Sequence, residues 1–276
     1  MTNHDYIEVA QRIARATGLM IKERIGTSIV VQEKASRYDL VTEVDQAAER
    51  MIRELLSEIF PKHRILGEEE AFHDGVLVSD MAERIKSEEY LWIVDPIDGT
   101  NNFIHGLPGY TVSIALAHWG ELIAGVVYDP TIDEMYWAEK GGGAYLNGKR
   151  IQVSTAIQLE KSIIGTGFPS NIARDRHAVI DHIGSVGPIC LNIRVYGSAA
   201  LQLAYVAAGK LDASWDLGLK VWDIAAGAVL ISEAGGKLTD VDGSPYALST
   251  ENMLASNIGV HHDLVNHLNP KKVSSA

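Results

Sequence analysis

A chain of 276 residues that is 46% apolar and 22% charged has the composition of a folded globular protein rather than a disordered or fibrous one. Its 24 basic and 36 acidic residues give a net charge of −12 with no polybasic run; this removes the electrostatic footprint of a nucleic-acid binder and suits a carboxylate-rich pocket that gathers divalent cations. The single cysteine, Cys190, excludes an intrachain disulfide and a multi-cysteine zinc site, and its apolar setting within 189–193 reads as core. The polar start over 1–5 carries neither a signal nor a transit pattern, so a cytoplasmic location is expected. Residues 99–120 lack Asp, Glu, Lys and Arg but contain Asn101, Asn102, His105 and Pro108, so no membrane span is expected there.

Ile7, Ala10, Ile13, Ala14, Thr17, Met20 and Ile21 recur at helical spacing and predict a first helix with one buried face. Residues 28–32 read as a strand and 33–39 as a polar loop. A second helix follows, in which Val44, Ala47, Ala48, Met51, Ile52, Leu55, Leu56 and Ile59 form the stripe between the candidate N-cap Thr42 and the breaker Pro61. Strand patterns then dominate at 90–94, 110–118, 122–128, 133–138 and 144–153, with a turn signal at Asn147-Gly148, and predict an antiparallel sheet. The second half alternates strand and helix: strands at 162–167, 191–196 and 213–215, helices at 172–183, 198–208 and 223–233, then a final strand pair and a C-terminal helix. Single hydrophobic cores stop growing near ~250–300 residues, so two lobes sharing a cleft are expected, 1–155 and 156–276.

The chemistry concentrates in Trp92-Ile93-Val94-Asp95-Pro96-Ile97-Asp98-Gly99-Thr100-Asn101-Asn102-Phe103. Asp95 is expected to emerge at a strand end, Pro96 to hold a turn and Asp98 to return toward the same point, giving two hard oxygen ligands beside the Ile97 carbonyl. Gly99 and Thr100 offer amide N–H groups at a helix start, where backbone dipoles favour a phosphate. A plain cap and turn would explain an isolated Asp-x-x-Asp-Gly equally well. Two further segments present carboxylates at element ends, however: Gly67-Glu68-Glu69-Glu70, and Trp222-Asp223-Ile224-Ala225-Ala226-Gly227.

Together these segments closely resemble the inositol monophosphatase family, as do Lys34 with Asp39-Leu40-Val41-Thr42-Glu43-Val44-Asp45, and Tyr196-Gly197-Ser198-Ala199-Ala200. The resemblance implies a five-layered αβαβα sandwich with an antiparallel sheet in the N-terminal lobe and a mixed sheet in the C-terminal lobe. It also implies a homodimer that hydrolyses small phosphomonoesters with two or three Mg²⁺ ions and is often inhibited by Li⁺. Carried over by position, Glu68, Asp95 and the Ile97 carbonyl would hold one metal, and Asp95, Asp98 and Asp223 a second. Glu68 would help place a weaker third ion through water. Asp45 and Thr100 would orient and deprotonate the attacking water, the Gly99 and Thr100 amides would bind phosphate, and Asp98, Ala199 and Asp216 would meet the substrate. Asp216 stands where inositol-preferring relatives place a glutamate, one methylene longer.

Some residues carry plainer readings. Asp45 matches a capping box behind Thr42, Lys34 either a solvated loop cation or a charge near the metal loop, and Glu69 a surface acid that stays off the ligand set. His261, His262 and His267 read as surface or packing residues, and Trp215, Trp222 and Tyr205 as core. The leading expectation is Mg²⁺-dependent hydrolysis of inositol monophosphate, with fructose 1,6-bisphosphate or the 2′-phosphate of NADP as alternatives. A 3′-phosphoadenosine phosphate substrate is disfavoured because Asn101 follows Thr100. A different class of role is docking as a protein partner in RNA-handling machinery without direct nucleic-acid contact. A metal-binding structural protein is a third reading, and neither a membrane nor a nucleic-acid partner is expected.

Overall fold

The computed structural model describes residues 3–25, 31–34, 39–73, 78–169 and 175–269. Helix α1 (Asn3–Lys22) buries Ile7, Ala10, Ile13, Ala14 and Ile21, as its stripe predicts. Strand β1 (Val31–Glu33) is exposed and pairs antiparallel with β2 (Leu40–Thr42), so part of the expected polar loop is a strand; residues 28–30 of the expected first strand lie outside the described residues. Helix α2 (Glu43–Ile59) starts at Thr42, whose hydroxyl accepts from the Val44 and Asp45 amides. Strand β3 (Arg64–Gly67) leads into two short helices that the sequence reading does not anticipate, α3 (Glu68–His73) and α4 (Val78–Ser87).

Strand β4 (Tyr90–Asp98) runs four residues past its expected end and meets helix α5 (Thr100–Ile104) at Gly99. Strands β5 (Thr111–His118) and β6 (Glu121–Asp129) form a hairpin whose two-residue turn, Trp119-Gly120, has positive φ at both positions, as a type I′ turn requires. Strands β7 (Glu134–Glu139), β8 (Gly143–Leu146) and β9 (Lys149–Ile151) complete a seven-stranded sheet of order β3-β4-β5-β6-β7-β8-β9, antiparallel throughout except for the parallel β3–β4 pair.

The second half contains β10 (Ile163–Thr166), α6 (Asp175–Val186), β11 (Asn192–Val195), α7 (Ala199–Ala207), β12 (Ala213–Asp216), α8 (Val221–Glu233), β13 (Lys237–Asp240), β14 (Met253–Ser256) and α9 (Ile258–Leu268). Its sheet has the order β11-β10-β12-β14-β13 and is mixed, parallel across β11-β10-β12 and antiparallel beyond. Because β11 is an edge strand, Leu191 and Val195 are exposed and Cys190 is only partly buried, which corrects the core reading of 189–193. Residues 172–174 of the helix expected at 172–183 lie outside the described residues, and α6 runs three residues past its expected end to Val186.

Three apolar clusters define five layers. One joins α1 and α2 to one face of the seven-stranded sheet. A second fills the space between the two sheets with α7 and α8. The third joins α6 and α9 to the outer face of the five-stranded sheet. The αβαβα sandwich is therefore present. Small residues in α8 make the middle layer thin enough to fit: a Cβ at Gly125 of β6 would lie 2.5 Å from the Ala226 carbonyl, and one at Gly227 would lie 2.3 Å from Leu203 of α7. This packing brings the start of α8 to the end of β4.

Candidate active site

The site begins with an irregularity in β4. Asp95 pairs with Ser113 and Asp98 with Thr111, so three residue steps on β4 match two on β5. In a regular strand, residues three apart face opposite sides; the extra residue of this β-bulge turns Asp95 and Asp98 to the same face. Pro96 is tolerated inside the bulge because the ladder is interrupted there. The expected turn after Val94 is thus a bulged strand, and it achieves the convergence assigned to the turn. At Gly99, φ is +100° and a Cβ would lie 2.9 Å from the Gly109 carbonyl, so both conformation and space call for glycine.

Asp223 arrives from the first turn of α8, where its Oδ2 accepts from the Lys220 amide at 2.7 Å. One carboxylate oxygen from each of Asp95, Asp98 and Asp223 lies within 4.8 Å of the others. Asp98 also reaches across to α7: its Oδ2 accepts from the Ser198 hydroxyl and the Ala200 amide, both at 2.6 Å. Ser198 is also the N-cap of α7, so that helix starts on a residue tied to Asp98. Asp95 is 2% exposed and accepts from the Ile97 amide at 3.0 Å, which leaves the Ile97 carbonyl to take a hydrogen bond from Thr100 Oγ1, also at 3.0 Å.

Glu68 joins the group because β3 runs parallel to β4 and ends with Gly67 beside Val94. The carboxylate of Glu49, four residues after Asp45 on the same buried face of α2, accepts from the Glu69 and Glu70 amides at 2.8 and 3.1 Å and fixes the start of α3. Glu49 escapes the motif reading; two acids at i,i+4 spacing on an apolar stripe are the signal that marks it. Lys34 is no solvated cation: its ammonium is 2.8 Å from Glu68 and 2.7 Å from Glu69, and its side chain is almost wholly buried. Glu69 is likewise not a free surface acid.

Burial is the largest influence on Asp45, Glu69, Asp95, Asp98, Asp216 and Asp223. It raises Asp95 well above the usual carboxylate range, helped by the charges of Glu68, Asp98 and Asp223. Asp223 is raised well above its ordinary value by burial and then by Asp98 and Glu68. Asp98 is pushed up to about 6 by burial, opposed by the hydrogen bonds from Ser198 and Ala200. Glu69 rises to about 8 through burial and the Glu68 charge. Burial disfavours the Lys34 charge, but Glu68 and Glu69 outweigh it and raise Lys34.

Asp45 is both cap and neighbour of the cluster. Its Oδ2 accepts from the Thr42 amide at 2.9 Å, completing the expected capping box, while its Oδ1 accepts from Thr100 Oγ1 at 3.1 Å. Burial lifts it to about 6 against the Thr42 hydrogen bonds. Asp216 is the last residue of β12 and is 4% exposed. It lines a cavity of about 160 Å³ together with Asp98, Ala199 and Asp223. His261 is buried between Ser256 and Thr239 and pushed down to about 4 by burial, a packing role as expected. Trp215 and Trp222 are buried, and Tyr205 packs half-buried against the middle layer.

A five-layered sandwich with an all-oxygen acidic centre where its layers meet defines the class: a phosphomonoesterase of the metal-using kind. The chain belongs to the inositol monophosphatase family, whose model matches residues 2–273. It is 41% identical over 269 residues to a Pseudomonas aeruginosa protein named Nus factor SuhB, covering 96% of each chain. It is 42% identical over 220 residues to an inositol-1-monophosphatase of Mesorhizobium japonicum, covering 79% of each. A solved Thermotoga maritima IMPase superposes with a TM-score of 0.86 at 34% identity, covering 99% of this chain and 100% of that one. No helix among the described residues is long and apolar enough to cross a membrane.

Proposed function

We propose that this enzyme hydrolyses monophosphates of small polyols, inositol monophosphate foremost, with Mg²⁺ as cofactor. The observation that carries the reading is the mutual approach of Asp95, Asp98 and Asp223 within 4.8 Å, beside a cavity that also reaches Ala199 and Asp216. The donor set fits divalent cations: it is oxygen-only, as hard ions prefer, and its acids are lifted by burial and mutual repulsion that bound cations would relieve. Glu68, Asp95 and the Ile97 carbonyl would hold one ion, and Asp95, Asp98 and Asp223 a second, with Glu68 helping to place a third. Bound there, such ions neutralise phosphate charge, sharpen a water as nucleophile and stabilise the departing oxygen.

The chain's own groups do the rest. The Thr100 hydroxyl sits between Asp45 Oδ1 and the Ile97 carbonyl and orients the attacking water. Asp45, lifted to about 6, is poised to take that water's proton near neutral pH. The Gly99 and Thr100 amides would bind the phosphate with Asp98 beside them, while Ala199 and Asp216 line the space for the alcohol. Water adds to phosphorus, the ester P–O bond breaks, and the leaving oxygen is protonated to give alcohol and inorganic phosphate. A homodimer in the cytoplasm belongs to the same proposal.

Initial rates on inositol 1-phosphate, fructose 1,6-bisphosphate and NADP⁺, each with and without Mg²⁺, test it. The expected result is Mg²⁺-dependent phosphate release led by inositol 1-phosphate. Negligible turnover of inositol phosphates beside rapid turnover of either alternative overturns the substrate. A second reading, docking on RNA-handling machinery as a protein partner, draws its support from the relative named as a Nus factor. Pull-down of such a partner by an Asp95→Asn, Asp98→Asn variant, insensitive to salt, would favour it.

A further inference from the structure

The cavity beside the acidic cluster is lined by Asp98, Gly167, Phe168, Ser198, Gln202 and Asp216, among others. Its volume of about 160 Å³ lies well below the ~300–1,000 Å³ of sites for drug-sized ligands, so it suits a compact alcohol. Apart from the clustered acids, its polar side chains divide into two groups. Ser198 is committed, its hydroxyl bound to Asp98 at 2.6 Å. Asp216 and Gln202 form the other group, and they hold each other.

Asp216 is clamped from two sides. Gln202, the fourth residue of α7 and 1% exposed, donates Nε2 to Asp216 Oδ2 at 2.9 Å. The Gly167 amide also donates to the carboxylate, and a Cβ at position 167 would lie 2.6 Å from Asp216 Oδ1, so glycine lets the carboxylate rest against the backbone. Burial, with the Asp98 and Asp223 charges, raises Asp216 well above the ordinary carboxylate range, and in either protonation state each of its oxygens keeps a hydrogen-bonding site after these bonds. The result is a rigid pair of hydroxyl-binding oxygens in the space where the ester's alcohol portion would sit. The Gln202 Oε1 lies buried near Gly165 without a hydrogen-bond partner, so the Nε2 bond to Asp216 is what holds the amide in this pose.

We propose that Gln202 is the positioning residue for substrate selection: by fixing the Asp216 carboxylate as a hydroxyl acceptor, it makes the site select phosphate esters with hydroxyls on the carbon skeleton over esters of plain alcohols. This rests on the phosphatase reading above and adds the residue that sets its preference. Sites built to hydrogen-bond a substrate hydroxyl reject analogues lacking it far more strongly than apolar pockets discriminate by size. A loose carboxylate would lose that advantage while leaving the acidic cluster in place.

The test compares kcat/KM for inositol 1-phosphate and cyclohexyl phosphate, which share a six-membered ring and differ in hydroxyls, in the wild type, Gln202→Met and Gln202→Asn. Met keeps the length and removes the amide; Asn keeps the amide and withdraws it by one methylene. The expected result is a preference for inositol 1-phosphate in the wild type that falls about tenfold or more in both variants, mainly through a higher KM for the polyol ester, even if both substrates slow. The tenfold figure corresponds to loss of one hydrogen bond to a charged group. An unchanged ratio in whichever variant folds, judged by a retained melting transition, overturns the inference while leaving the phosphatase reading intact. A wild type that hydrolyses neither ester in Mg²⁺ overturns both.

Discussion

Asp223 shows how one side chain can serve fold and chemistry with different oxygens. Its Oδ2 caps α8 through the Lys220 amide, while the carboxylate faces Asp95 and Asp98. Asn at 223 keeps an oxygen for the cap and removes the charge. Asp223→Asn is therefore expected to lower turnover about 10³-fold or more, at the scale on which a bound ion stabilises a leaving group. The same change relieves repulsion, so without metal its melting temperature should rise by a few degrees. Steady-state kinetics at saturating Mg²⁺ and a thermal melt in chelator check both halves; near-normal turnover would take Asp223 out of the site. Asp45 carries the same duality at the start of α2, which is why a capping-box reading and a catalytic reading of its sequence both had a physical basis. At this scale the motif acids were readable because each ends an apolar run. Gln202 was not, because a single polar residue inside an apolar helix has no sequence-local partner to reveal it, and Glu49 showed only through its i,i+4 spacing from Asp45.

Among the elements, α1 and α2 were exposed by their apolar stripes, and the meander β5–β7 and α8 by apolar runs between turn and glycine signals. The bulge in β4 stayed hidden because Pro96 reads as a strand terminator unless the partner strand is known. Helices α3 and α4 are too short for their spacing to stand out, and β11 looks buried in sequence because an apolar edge strand and a central strand share a pattern. The close fit of α8 makes a sharp prediction. Gly125→Val places branched carbon against the Ala226 carbonyl, so it should cost about 1–3 kcal/mol or more by overpacking and pull Asp223 out of register. The melting temperature and kcat should fall together; an unaltered kcat would show that α8 does not set the position of Asp223. Glu49→Ala tests α3 in a complementary way. It strips the acceptor from two amides at that helix start, and titration calorimetry should show weaker Mg²⁺ binding, with an unchanged affinity counting against Glu49 as the anchor of Glu68.

Across the whole molecule the acidic centre is one of the polar ties between layers, beside the Ser113 bond to the Trp222 carbonyl and the Glu233 bonds to the Gly141 and Gly143 amides, since Asp98 on β4 is held by the start of α7 and Asp223 enters from α8. That bond between layers carries an electrostatic cost that depends on pH. Asp45 and Asp98 are lifted to about 6 and Glu69 to about 8, chiefly by burial, whereas in the unfolded chain such acids ionise near ~4. Between those values the folded chain retains protons the unfolded chain has lost, so without metal this stability contribution is fully present below pH ~4 and is lost as pH rises toward 8. Divalent cations bind the ionised cluster and displace those protons, so their affinity should strengthen over the same window. The gain in melting temperature on adding Mg²⁺ to chelator-treated protein is therefore expected to be small at pH 5 and to grow steadily to pH 8. Asp95→Asn, Asp98→Asn protein should show little gain at either pH. A Mg²⁺ gain in the wild type that stays flat across this range would mean that the acids are not linked to metal binding, and that the layers are joined here by hydrogen bonds alone.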